Sequence, residues 1–168
     1  MKHLSILSSP CPVGGITLKN RITMAPLFLG YANPDGTVSQ LMLDHYLRMA
    51  SSGVAMIVVE NIAVDPFGRG SPFMLRADHE RYIPGLSELA RTIKEHDAIA
   101  FAQINHAGRY AYMSERIAPS AVKTGDITPK EMSGQDMVRV VNAFADAALT
   151  IKTAGFDGIE IHGGTGYL

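Results

Sequence analysis

The chain has 168 residues, with 15 Lys and Arg against 16 Asp and Glu and a formal net charge of −1. A hydrophobic share of 46% and a charged share of 18% supply a buried core and exclude a disordered segment. The balanced charge gives no electrostatic reason for a nucleic acid or an anionic membrane as partner. Cys11 is the only cysteine, which excludes an intrachain disulfide and a Cys-based zinc or iron–sulfur site. The leader, residues 1–15, holds too short an apolar run for a secretory signal. No stretch reaches the roughly 18 apolar residues of a membrane span. These features predict a soluble chain in the reducing cytoplasm, and at about 100–200 residues per domain the length alone fits one domain.

In chain order, Arg21–Ala25 reads as a short strand with Ile22 and Met24 on one side. The turn signal Asn33-Pro34-Asp35-Gly36 follows. A helix is predicted from Gln40, with Ser39 as N-cap, an apolar row of Leu43, Tyr46, Leu47 and Ala50, and Gly53 as its stop. Val54–Glu60 is a nearly continuous apolar run rich in β-branched residues, as in a parallel strand buried on both faces. A Gly/Pro-rich loop leads to a second helix near Pro84, carrying Leu86, Leu89, Ala90 and Ile93. Ala98–Ile104 is the third strand, and residues 105–132 form a long loop of the kind that is usually functional. Ser133 and Asp136 read as a capping box for a third helix. Its apolar stripe is Met137, Val140, Val141, Phe144, Ala147, Ala148 and Ile151, and Gly155 ends it. Gly158–His162 is the fourth strand. This alternation argues for an α/β fold with a parallel sheet and leaves open whether the sheet is open or closed into a barrel.

In such folds the chemistry sits at the C-terminal ends of the strands. There the fourth strand offers His162, Gly163, Gly164, Thr165, Gly166 and Tyr167. His162 is a candidate hydrogen-bond donor or acid/base and Tyr167 a candidate proton donor, against the plainer reading of a glycine-rich turn with a satisfied histidine. A phosphate loop is the weaker reading, because such a loop should open a helix. Gln103 ends the third strand with a side chain that both donates and accepts, which suits the edge of a flavin or nucleotide ring. Met24-Ala25-Pro26-Leu27 closes the first strand, where a fixed Pro could hold backbone against a flat ring; Glu60-Asn61 closes the second. The six histidines show no metal-binding spacing, and His3, His45, His79 and His96 read as surface or loop residues. The nine methionines read as packing.

Taken in order, these segments resemble the N-terminal half of the old yellow enzyme family, the FMN-dependent NADH:flavin oxidoreductases and ene-reductases. The carriers are Leu18-Lys19-Asn20-Arg21-Ile22 leading into Met24-Ala25-Pro26, the helix with Tyr46 followed by Gly53 and the Glu60 strand, Gln103 through Arg109, Ala118-Pro119-Ser120-Ala121, and Ala154 through His162 with Gly166-Tyr167-Leu168. The resemblance implies a (βα)8 TIM barrel of which residues 1–168 supply the first four strands, a half-barrel lacking strands five to eight. It implies FMN at the C-terminal mouth and NADH or NADPH as hydride donor. Ala25, Pro26, Leu27 and Phe28 would line the flavin, Asn61 would lie beside it, and Gln103 would bond its pyrimidine edge. His162 would contact both the cofactor region and the substrate carbonyl, and Tyr167 would protonate the substrate α-carbon of an activated alkene.

Two positions depart from the family pattern. Thr165 stands where a second His or Asn usually completes a two-donor clamp on the carbonyl. Phe28 stands where a Thr or Cys usually donates to the flavin, so a different flavin potential is expected. Two other readings stay open. One is a catalytically incomplete half-barrel that binds flavin or associates with itself or with a C-terminal half. The other is an unrelated βα enzyme using His162 and Tyr167 on another substrate.

Overall fold

The computed structural model describes residues 4–168. His3, expected at the surface, lies outside the described residues. After a short helix α1 (Leu4–Leu7), strands β1 (Cys11–Val13) and β2 (Ile16–Leu18) form an antiparallel hairpin. The hairpin has no counterpart among the expected elements, because three-residue strands are too short to show a period. Then follow β3 (Thr23–Met24), α2 (Gln40–Ser51), β4 (Met56–Ala63), α3 (Ile83–Lys94) and β5 (Ile99–Asn105). A two-residue parallel pair, β6 (Ile117–Ala118) and β7 (Lys130–Glu131), lies within the long loop. Helix α4 (Gly134–Thr153) and strand β8 (Gly158–Ile161) complete the order.

Strands β3, β4, β5 and β8 form one four-stranded sheet in that spatial order, every pair parallel. The expected α/β parallel architecture is present, with the sheet open rather than closed into a barrel. Helices α2, α3 and α4 cover one face. Ile57, Val59 and Ile62 of β4 and Ala100, Ala102 and Ile104 of β5 meet Tyr46, Leu86, Leu89, Ile93, Ala147 and Ile151 there. The alanines of β5 leave room for α3 and α4 to approach closely. The alternate residues point to the other face by the two-residue period of a strand. On that face the Phe101 ring lies over Gly158, where a Cβ would come within 2.4 Å of it.

Each helix begins and ends where its chemistry allows. Ser39 caps α2 by accepting from the Met42 N–H, and Ser133 and Asp136 form a reciprocal capping box on α4. Gly53 and Gly155 follow α2 and α4 at φ of +90° and +89°, a left-handed conformation that any Cβ would strain.

Several expectations need correction. The first strand is only two residues long, since Pro26 has no N–H to continue a ladder and Arg21–Ile22 remain exposed. The second strand does not end at Glu60-Asn61 but continues to Ala63, passing through a register shift between Val59 and Ile62. Leu47 is 41% exposed, Met137 48% and Val141 67%. The buried stripe of α4 is narrower than its apolar spacing suggests, and of that helix only Val140, Ala147 and Ile151 are buried. His45 lies on α2 and is half-buried, with its ring edge-on to Tyr31 and Tyr46 and its Nε2 buried.

Candidate active site

The C-terminal ends of β3, β4, β5 and β8 open on one side of the sheet. Four connecting segments gather there, residues 25–39, 64–82, 106–133 and 162–168. They carry Ala25, Pro26, Leu27, Phe28, His162, Thr165 and Tyr167, while Asn61 and Gln103 lie within β4 and β5 themselves.

The fourth segment is the most built. The backbone N–H of His162 donates to Ile104 O at 3.0 Å, which ties the strand end to β5. The His162 ring stands edge-on to Tyr167, centroids 5.0 Å apart. Its Nε2 lies 3.2 Å from Thr165 Oγ1. Thr165 reaches that position at φ +58°, in the left-handed region that a β-branched residue enters only at a cost. Tyr167 in turn packs against Tyr110, centroids 5.7 Å apart. Gly108, at φ +57°, lets the preceding turn approach this tail, since a Cβ there would lie 2.9 Å from Leu168 N.

His106 supports this corner from below. It is 2% exposed, and its Nδ1 accepts from the Gly108 N–H at 3.0 Å, which leaves the ring proton on Nε2. Burial pushes its pKa down; Asp65 opposes this and Arg139 adds to it. Asp65 and Arg139 form an ion pair that ties the β4 loop to α4.

On β4, the register shift sets Glu60 and Asn61 together opposite Gln103 on β5. Such bulges re-aim side chains beside sites. Gln103 is nearly buried and donates through Nε2 to Glu160 Oε1 at 2.7 Å. Glu60 is fully buried and accepts through Oε2 from the Leu29 N–H at 2.6 Å. Burial raises its pKa to about 7, against the lowering effect of that bond. The segment it holds presents Leu27, 61% exposed, and Phe28, 46% exposed, with the Phe28 ring beside Gly30.

Glu60 Oε1, Asn61 Oδ1 and both amide atoms of Asn105 are buried and have no partner among the described residues. Unpaired buried polar atoms are rare in folded proteins, and a concentration of them at adjacent strand ends needs an explanation. An apolar surface at Leu27 and Phe28, flanked by polar atoms with unused hydrogen-bonding capacity, fits a flat ring with a polar edge. Sequence reasoning singled out Asn61 but passed over Glu60, Asn105 and His106 as site residues. The signal for Glu60 was available: a carboxylate inside an otherwise apolar strand. Among the described residues no group of three or more His, Cys, Asp or Glu is placed to hold a metal. No helix among them is long and apolar enough to cross a membrane.

The parallel sheet, its helices on one face and the loops at the strand ends define an α/β scaffold that gathers its polar side chains at the strand ends. The profile of the NADH:flavin oxidoreductase / NADH oxidase family matches residues 7–168, and the chain belongs to that family. It is 43% identical over 168 residues to an NADPH dehydrogenase of Geobacillus thermodenitrificans, covering 98% of this chain and 49% of the relative. It is 38% identical over 176 residues to an NADH oxidase of Thermoanaerobacter brockii, covering 100% of this chain and 27% of the relative. The solved old yellow enzyme homologue from Zymomonas mobilis superposes with a TM-score of 0.87 at 27% identity, over 96% of this chain and 49% of that one. The chain thus spans between about a quarter and a half of the length of these relatives. The family implies FMN as cofactor and NAD(P)H as its reductant.

Proposed function

We propose that the chain carries the substrate-facing half of the active site of an FMN-dependent NAD(P)H oxidoreductase that reduces an activated alkene. The observation that carries this reading is the His162–Tyr167 pair at the end of β8, edge to face at 5.0 Å. It opens on the same mouth as the unpaired polar atoms of β4 and β5. Bound FMN would supply hydride chemistry, taking a hydride from NAD(P)H and giving it to the alkene. Ala25, Pro26, Leu27 and Phe28 would face the flavin ring, with Asn61 and Gln103 at its polar edge.

His162 would donate to the carbonyl oxygen that activates the alkene, assisted by the Thr165 hydroxyl beside it. That bond draws electron density from the β-carbon and prepares it for hydride. Tyr167 would place its phenolic proton on the α-carbon. A positioned acid of this kind contributes about 10²–10⁴-fold. A cytoplasmic setting accompanies this reading, with Cys11 kept reduced there.

The test is the visible spectrum of the purified chain with FMN, followed through anaerobic addition of NAD(P)H and then of an α,β-unsaturated carbonyl compound. Bleaching by the first and recovery of colour with the second is the expected result. Binding without recovery would contradict alkene reduction.

A second reading has its own support. Ile161 on the open strand β8 is 64% exposed, and Val138, Val141 and Leu149 form an exposed apolar row on α4. These surfaces fit a module that associates with a copy of itself or with a C-terminal half. Its solution mass is the discriminating measurement: a colourless oligomer favours this reading, a yellow monomer the first.

A further inference from the structure

Glu60 has a place in the site that the reaction outlined above does not use. The residue is fully buried, and its backbone and its carboxyl bond to two different parts of the fold. The backbone N–H of Glu60 donates to the Tyr46 hydroxyl of α2 at 2.9 Å, fixing the strand at that residue. Its carboxyl Oε2 takes the Leu29 N–H at 2.6 Å, fixing the end of the segment 25–29. The other carboxyl oxygen, Oε1, is buried with no partner among the described residues. A neutral carboxyl with its proton there leaves a buried donor unpaired. An ionised one leaves a buried charge half satisfied. Neither form is comfortable, which is the condition for a group that changes state near neutrality.

The two forms grip Leu29 differently. A hydrogen bond to an ionised acceptor is roughly twice as strong as one between neutral groups. A structural clamp would have been better served by a neutral Gln or a backbone carbonyl, with no charge to bury. We propose that Glu60 is a positioning residue, a proton-sensitive latch whose ionised carboxylate locks the segment 25–29 into the conformation that receives the flavin ring. The latch rests on the geometry of the carboxyl itself; the ring as its ligand rests on the function proposed above.

The titratable group facing Glu60 from α2 is Tyr46, whose pKa burial drives above the ordinary phenol range, so it stays neutral where Glu60 titrates. On the sheet, Gln103 stands across the bulge, and Glu160 beyond it is bonded to Gln103. From the β3 side the contact is the uncharged Leu29.

The experiment has two readouts. In the ¹⁵N-labelled full chain without cofactor, the Leu29 amide proton should shift with pH, with a midpoint near the Glu60 value of about 7. In Glu60→Gln it should stay flat while the remaining amide spectrum keeps its dispersion. An unchanging Leu29 amide in the wild type from pH 5.5 to 8.5 overturns the latch, and that measurement needs no variant to fold. The second readout is FMN affinity from quenching of flavin fluorescence. Binding should be about fivefold tighter at pH 8.5 than at pH 5.5, the factor corresponding to the gain of one charge-assisted bond. The FMN phosphate titrates alike in both proteins, so the difference should largely vanish in Glu60→Gln. An equal pH dependence in the two proteins overturns the coupling to the cofactor. Absence of FMN binding at both pH values, with the Leu29 titration present, overturns the flavin reading and leaves the latch standing.

Discussion

At Glu60 the sign of the pH dependence follows from burial. Its pKa rises from an ordinary 4.5 to about 7 in the folded chain. The folded state therefore holds a proton that the unfolded state releases, and stability falls as pH rises from about 4.5 to 7. The loss from this one group is on the order of 3 kcal/mol. Urea unfolding at pH 5 and pH 8 should show that decline in the wild type and most of it removed in Glu60→Gln. Equal declines would assign the pH dependence to other groups. Thr165 presents the opposite case, a cost that substitution can relieve. Asn tolerates its φ of +58° and carries a longer donor toward His162. Thr165→Asn should gain about 1 kcal/mol in stability. It should also bind a phenolate, a mimic of the substrate oxygen, more tightly. Weaker phenolate binding would show that the hydroxyl at Nε2 is the better partner. Both residues were visible in the sequence, but only as anomalies of type. Whether a buried carboxyl has one partner or two, and whether a threonine sits at positive φ, depends on tertiary neighbours that no local pattern records.

The elements show where a local pattern is enough and where it ends. The capping residues Ser39 and Ser133 and the stops Gly53 and Gly155 were readable because each acts within its own turn of helix. The α3 face of Leu86, Leu89, Ala90 and Ile93 is buried as its spacing predicted, since that helix lies over the middle of the sheet. On α4 the same rule overreached, because this helix overhangs the last strand and periodicity cannot say how far a sheet extends. The difference is measurable. Ile151→Ala, in the core, should cost about 2–5 kcal/mol. Val141→Lys, on the overhang, should change the stability of the monomeric chain by no more than about 0.5 kcal/mol. A large cost at Val141 would mean that this face is covered in solution. The bulge at Glu60-Asn61 lay beyond sequence reading for a related reason: the shift exists only relative to the neighbouring strand.

For the whole molecule, the order of motifs carried more information than any single motif. It pointed to the family, whose profile matches residues 7–168, and to the parallel sheet that places the four strand ends together. What it could not supply was the depth of the site: that both amide atoms of Asn105 are buried, and that Glu60 reaches back across the chain to Leu29. In the proposed function, hydride and proton reach the substrate from different groups, with Tyr167 the source of the proton. Anaerobic stopped-flow of the chain with FMN, comparing wild type with Tyr167→Phe, separates the two half-reactions. In Tyr167→Phe, reduction by NAD(P)H should keep its rate while reoxidation by the alkene slows about 10²–10⁴-fold. Equal slowing of both half-reactions, or unimpaired reoxidation, would contradict that role for Tyr167.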